Sequence, residues 1–186
     1  MPGTVRKTAR LLKDSGRYLL AGVRAALAEP VDATRELLES WRAGSRELVL
    51  APGSPTKLVS DAMAEVTIGC AQLGIDLLLE QVDKLPDELP MDQARMAAAL
   101  ETTLHTAMRE FGQDATIRVR TLVRDWRVVI EAVADRPAAL ERLQARLGDP
   151  MQDPALAVEI VRAHGGELVA RGDADSSALV IELPLG

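Results

Sequence analysis

The 186-residue chain has little of what most often carries chemistry: one cysteine, Cys70, and two histidines, His105 and His164. A single thiol excludes an internal disulfide framework and any multi-cysteine zinc or iron–sulfur centre. Two histidines leave little room for His-rich metal chemistry. The four aromatics, Tyr18, Trp41, Phe111 and Trp126, argue against a stacking platform for single-stranded nucleic acid. No run approaches the about 20 apolar residues of a membrane span. The N-terminus also lacks the hydrophobic run and cleavage site of a secretory signal, so a cytoplasmic location is expected. What the chain does have is material for a core. Hydrophobic residues make up 47% and charged residues 27%, with a formal net charge of -6, a balance outside the disordered range.

Charge is unevenly divided. Residues 1–50 hold nine Lys/Arg against six Asp/Glu, whereas residues 51–186 hold 13 against 22. In the basic part, Val5, Leu12, Leu19, Val23 and Leu27 recur at helical spacing and predict an amphipathic helix over about 4–28. Pro30 ends it. A shorter helix follows from Asp32, its expected N-cap, with Leu37, Leu38 and Trp41 on one face. Residues 1–47 therefore read as a helical hairpin whose apolar stripes need a partner: a second copy in a four-helix bundle, or the following domain. A basic amphipathic helix also fits a membrane-surface or targeting segment.

Residues 48–186 read as a separate unit. Ala51-Pro52-Gly53-Ser54-Pro55 has the composition of a linker. The next helix, 55–73, carries Val59, Met63, Val66, Cys70 and Leu73 on one stripe, which makes Cys70 a small core residue. Gly74 stops it before a short apolar strand, 75–79, and 81–90 reads as a proline-punctuated loop. Asp92 is the expected cap of a long helix to Phe111, with Met96, Leu100, Leu104, Ala107 and Met108 facing inward. The period then changes to alternation at Ile117–Leu122. A second strand, 126–133, forms a hairpin with the first through Arg124-Asp125. Helices over 138–147 and 154–163 follow, and a closing hairpin pairs 167–171 with 178–183. This order predicts an α+β fold with helices on one face of a mixed, mostly antiparallel sheet.

The last segment carries a family signature. A helix ending Ile160-Val161-Arg162-Ala163-His164-Gly165-Gly166, the strand Glu167–Ala170 and the closing strand Ala178–Leu185 resemble the end of a sensor histidine kinase ATP-binding domain. Met91–Met96 resembles the start of that family's long helix, and Gly74–Leu77 its preceding strand. The resemblance spans roughly residues 48–186 and implies a two-layer sandwich of the Bergerat (GHKL) type. It implies ATP and Mg²⁺ as cofactors and a response regulator or sensor kinase as partner. It also implies a homodimer formed through the preceding hairpin.

The motifs that would hold nucleotide depart from the family pattern. The two metal-reaching asparagines of the long helix correspond to Thr102 and Thr106, whose hydroxyls are shorter and weaker oxygen ligands. Arg109 falls where the family has a basic residue, and Glu101 is a nearby acid; both also read as exposed helix charges. Asp135 matches the adenine-binding aspartate, but both glycines of its motif are replaced, by Pro137 and Ala139. Asp135 reads equally as a helix cap. Met151-Gln152-Asp153-Pro154 replaces the glycine-rich phosphate motif, with Asp153 expected as N-cap and Pro154 at the first helical position. The lid is shortened to about 140–150. Neither histidine lies on the first hairpin helix, where the phosphoacceptor belongs; Lys13 is nearest that place.

These departures imply a non-catalytic signalling adaptor, in the style of the ATP-less histidine phosphotransferases of phosphorelays, with no resident cofactor. One alternative is a divergent nucleotide-binding protein in which Asp135, Thr106, Thr102 and Arg109 hold ATP and Mg²⁺. The other is a membrane- or nucleic-acid-associated module acting through the basic first helix. The acidity of the remaining chain opposes polyanions, so no nucleic-acid partner is expected.

Overall fold

The computed structural model describes residues 32–185. The predicted helix over 4–28, with Lys13, lies outside them. Five helices are described: α1 (Asp32–Arg42), α2 (Pro55–Gln72), α3 (Gln93–Phe111), α4 (Leu140–Gly148) and α5 (Asp153–Ala163). Seven strands accompany them: β1 (Ala51–Gly53), β2 (Asp76–Gln81), β3 (Leu89–Met91), β4 (Thr116–Arg124), β5 (Arg127–Ala134), β6 (Glu167–Gly172) and β7 (Ser177–Pro184). The main sheet has the order β2-β4-β5-β7-β6. β2 runs parallel to β4 and the other neighbours are antiparallel.

Period-two alternation sorts the sheet into two faces. Ile117, Val119, Val128, Ile130, Ala132, Leu179, Ile181 and Leu168 join one core cluster with the helices. The opposite face carries Arg120 on Glu131 at 3.2 Å and Arg171 on Glu182 at 2.8 Å. This gives the expected α+β sandwich with its helices on one face.

Helix ends follow local rules. The Asp92 side chain accepts from Arg95 N–H at 3.1 Å, capping α3 as expected. Both Gly74 (φ +67°) and Gly165 (φ +75°) close Schellman motifs: Ile75 N–H donates to Cys70 C=O at 2.8 Å, and Gly166 N–H to Val161 C=O at 3.0 Å. A Cβ on Gly166 would run into the Glu182 backbone oxygen, so the paired glycines serve a turn and a close approach. α5 departs from expectation: Gln152 occupies the N-cap and Asp153 is the first helical residue.

Three loop readings are corrected. Ala51–Gly53 is not a linker but β1, antiparallel to β3, which starts at the end of the expected 81–90 loop, and Pro52 stands opposite Pro90. Two facing prolines fit a ladder at a non-hydrogen-bonded pair, where neither N–H is needed. The β4–β5 turn is Asp125-Trp126, both left-handed at φ 50° and 60°, so Trp126 leaves the strand and stands 85% exposed. The strand predicted over 75–79 runs on to Gln81.

α1 belongs to the domain's own core. Leu38 and Trp41 are buried in it, and Trp41 Nε1 donates to Glu159 of α5 at 3.2 Å. The Arg95 guanidinium lies 5.2 Å from the Trp41 ring centroid. Of the two partners considered for the stripe of this helix, the following domain covers it.

Cys70 is also in the core, and burial pushes its thiol up to about 11. A thiol raised in the folded state stays protonated while the unfolded chain ionises near 9. Its contribution to stability is therefore complete below pH 9 and lost as pH rises from 9 towards 11. In a thiol-alkylation assay at pH 8, native protein is expected to react far more slowly than urea-unfolded protein.

Candidate functional site

Residues four apart on a helix share a face, and α3 places Thr102 and Thr106 together above the sheet. With His105, Arg109, Asp153 and Pro154 they line a cavity of about 40 Å³. Both threonines are buried. Thr106 Oγ1 donates back to Thr102 C=O at 2.7 Å, a common way for a mid-helix threonine to satisfy its own hydroxyl. Thr102 Oγ1 has no protein partner. His105 is held below the usual imidazole range by burial and then by the positive charge of Arg109, both of which favour the neutral ring.

The structure does not bring Asp135 to this cavity. Its side chain is 71% exposed at the end of β5 and pairs with Arg118 Nη2 at 2.7 Å. It does not cap a helix either, because the following 3₁₀ turn, Pro137–Ala139, starts from Arg136 without a side-chain cap. Thr102, Thr106 and Arg109 are therefore together and Asp135 is apart. Glu101 accepts from Thr34 Oγ1 on α1; burial raises its carboxyl above the usual range, only partly offset by that bond.

The space beside the C-terminal end of α3 is filled by α4. Glu110, buried on α3, accepts from Arg142 Nε at 3.0 Å and from Arg146 Nε at 2.9 Å. Arg142 Nη2 also donates to the Glu110 C=O at 2.8 Å, and Arg146 Nη1 to Gln152 Oε1 at 3.2 Å. One carboxylate thus ties α4 to α3, and Arg146 carries the tie to the N-cap of α5. Arg42 of α1 closes on Asp153 at 3.1 Å from the other side. The two arginines stand i, i+4 on a short helix, a pattern visible in the sequence, but nothing local to it points to Glu110.

His164 is a structural residue. Its Nε2 accepts from Asp92 N–H at 3.0 Å, which leaves Nδ1–H to donate to Ile160 C=O at 2.8 Å. Both ring nitrogens are engaged in the neutral tautomer. The imidazole thus serves a carbonyl at the end of α5 and also fixes the start of α3.

The residues present do not fit a magnesium-bound nucleotide as arranged. A site for a ligand of that size occupies about 300–1,000 Å³, whereas 40 Å³ accommodates water. Asp153, paired with Arg42, also adds an acceptor-only carboxylate to the lining of that cavity. Among the described residues no cluster of metal-ligating side chains occurs, and no helix is long and apolar enough to cross a membrane.

No family model and no curated protein sequence matches the chain. Solved structures do. The catalytic domain of histidine kinase ThkA superposes with a TM-score of 0.64 at 15% identity, over 74% of this chain and 96% of that one. A histidine kinase from Burkholderia phymatum STM815 gives 0.61 at 20% identity, over 97% and 98% of the two chains. ThkA in complex with the response regulator TrrA gives 0.65 at 15% identity, over all of this chain and 53% of the kinase. The fold is that of histidine kinase ATP-binding domains.

Proposed function

We propose that this chain is a non-catalytic two-component signalling adaptor, a pseudo-histidine-kinase without resident nucleotide, that docks a response regulator or a partner kinase. The observation that carries the reading is the closed nucleotide side of the fold. Thr102 and Thr106 face a cavity of about 40 Å³, Asp135 is paired away from it, and Glu110 holds α4 down on α3. With no room for ATP, the domain has no phosphoryl donor. The response regulator bound to ThkA supports that partner class. The chain works in the cytoplasm as a homodimer on this reading.

The test is a binding screen of the full chain against purified response regulator receiver domains and sensor kinases from the same organism, with and without Mg·ATP. Saturable binding to at least one partner, insensitive to nucleotide, is expected. Binding to none, or binding that requires ATP, removes the reading.

A further inference from the structure

β2 is an edge strand of the main sheet, and no described strand pairs with its outer edge. Asp76 N–H donates to Ala115 C=O and Val82 N–H to Thr121 C=O, so even-numbered residues turn their backbone groups towards β4. Leu77, Leu79 and Gln81 therefore turn theirs outward, and no described residue receives them. Natural edges are blunted by lysine, proline, bulges or a covering segment. Asp76-Leu77-Leu78-Leu79-Glu80-Gln81 has no lysine or proline, and its ladder with β4 runs without interruption. Leu78, Leu79 and Val82 are 51%, 50% and 46% exposed.

We propose that this edge pairs antiparallel with β2 of a second copy of the chain, about a two-fold axis at Leu79. The register follows from the strand itself. Outward-facing backbone groups must meet outward-facing groups, which excludes any axis between two residues. An axis at Leu78 sets Asp76 against Glu80 twice and calls on Ile75, whose N–H is already bonded to Cys70. An axis at Glu80 sets Glu80 against itself. An axis at Leu79 pairs Leu79 with Leu79 and Leu77 with Gln81, so all the outward groups from Leu77 to Gln81 find partners. On the other face it sets Leu78 beside the partner's Glu80 and Asp76 beside Val82, with no like charges opposed. The leucines meet across the axis, and two five-stranded sheets become one of ten.

So short a contact falls below the about 1,200 Å² of a standard interface, and the association is weak and reversible. Sedimentation equilibrium of the full chain up to about 1 mM, the affinity range left to small interfaces, tests it. Association beyond the hairpin homodimer of the proposed function is expected to rise with concentration. Leu79→Pro removes an outward N–H and leaves the β4 ladder intact; it is expected to weaken the dimer at least tenfold with an unchanged circular dichroism spectrum. Leu78→Glu, placed against Glu80, weakens it likewise, whereas Leu78→Lys retains or strengthens it. If Leu79→Pro fails to fold, the Leu78 pair still decides. Association that does not rise with concentration, or that is indifferent to the charge at residue 78, overturns the proposal.

Discussion

Replacing Arg142 and Arg146 together by alanine is expected to destabilise the fold by about 3–5 kcal/mol, the usual cost of stranding a buried charge. The Glu110 side chain is 6% exposed, and the two guanidinium groups supply its side-chain partners. Without them the carboxylate stays desolvated and unpaired. The reverse change, Glu110→Gln, is gentler, about 1–3 kcal/mol. It strands no buried charge, and the side chains of Arg142 and Arg146, 56% and 37% exposed, reach water. Urea denaturation of the three proteins measures the difference. A double alanine variant as stable as the parent would mean that Glu110 is not the clamp described.

Trp41→Ala is expected to cost about 3–5 kcal/mol, the range for truncating a buried aromatic. The ring is 2% exposed in the core shared by α1, α3 and α5. Arg95 lies over the ring and the indole N–H reaches Glu159, so truncation opens a void and removes one contact from each of these charged groups. Trp41→Phe keeps most of the packing and loses the hydrogen bond, for about 0.5–1.5 kcal/mol. The measurement is the shift in denaturation midpoint. A Trp41→Ala protein as stable as the parent would place α1 with the preceding hairpin and outside this core.

The layered architecture was legible because it rests on periodicity. The change from helical spacing in α3 to alternation at Ile117 marks where the helix layer gives way to the sheet, and Gly74 and His164-Gly165-Gly166 mark two helix ends. What escaped was pairing at a distance. Pro52 and Pro90 each look like loop residues until they stand opposite one another. The Asp125-Trp126 turn carries no glycine to announce its left-handed backbone. At the candidate site, the common face of Thr102, Thr106 and Arg109 follows from spacing along one helix. The Arg118–Asp135 pair depends on the β4–β5 register, and the Glu110 clamp on two helices far apart in sequence.

Mg·ATP titration of the full chain, followed by calorimetry and thermal unfolding, bears most directly on the closed nucleotide side. A ligand at a hundredfold its Kd would add about 2.7 kcal/mol of stability and raise the unfolding temperature by several degrees. No binding heat and no thermal shift at millimolar Mg·ATP are expected, because Thr102, Thr106 and Arg109 face a cavity of about 40 Å³ between α3 and the start of α5. Saturable binding with a submillimolar Kd would contradict the account.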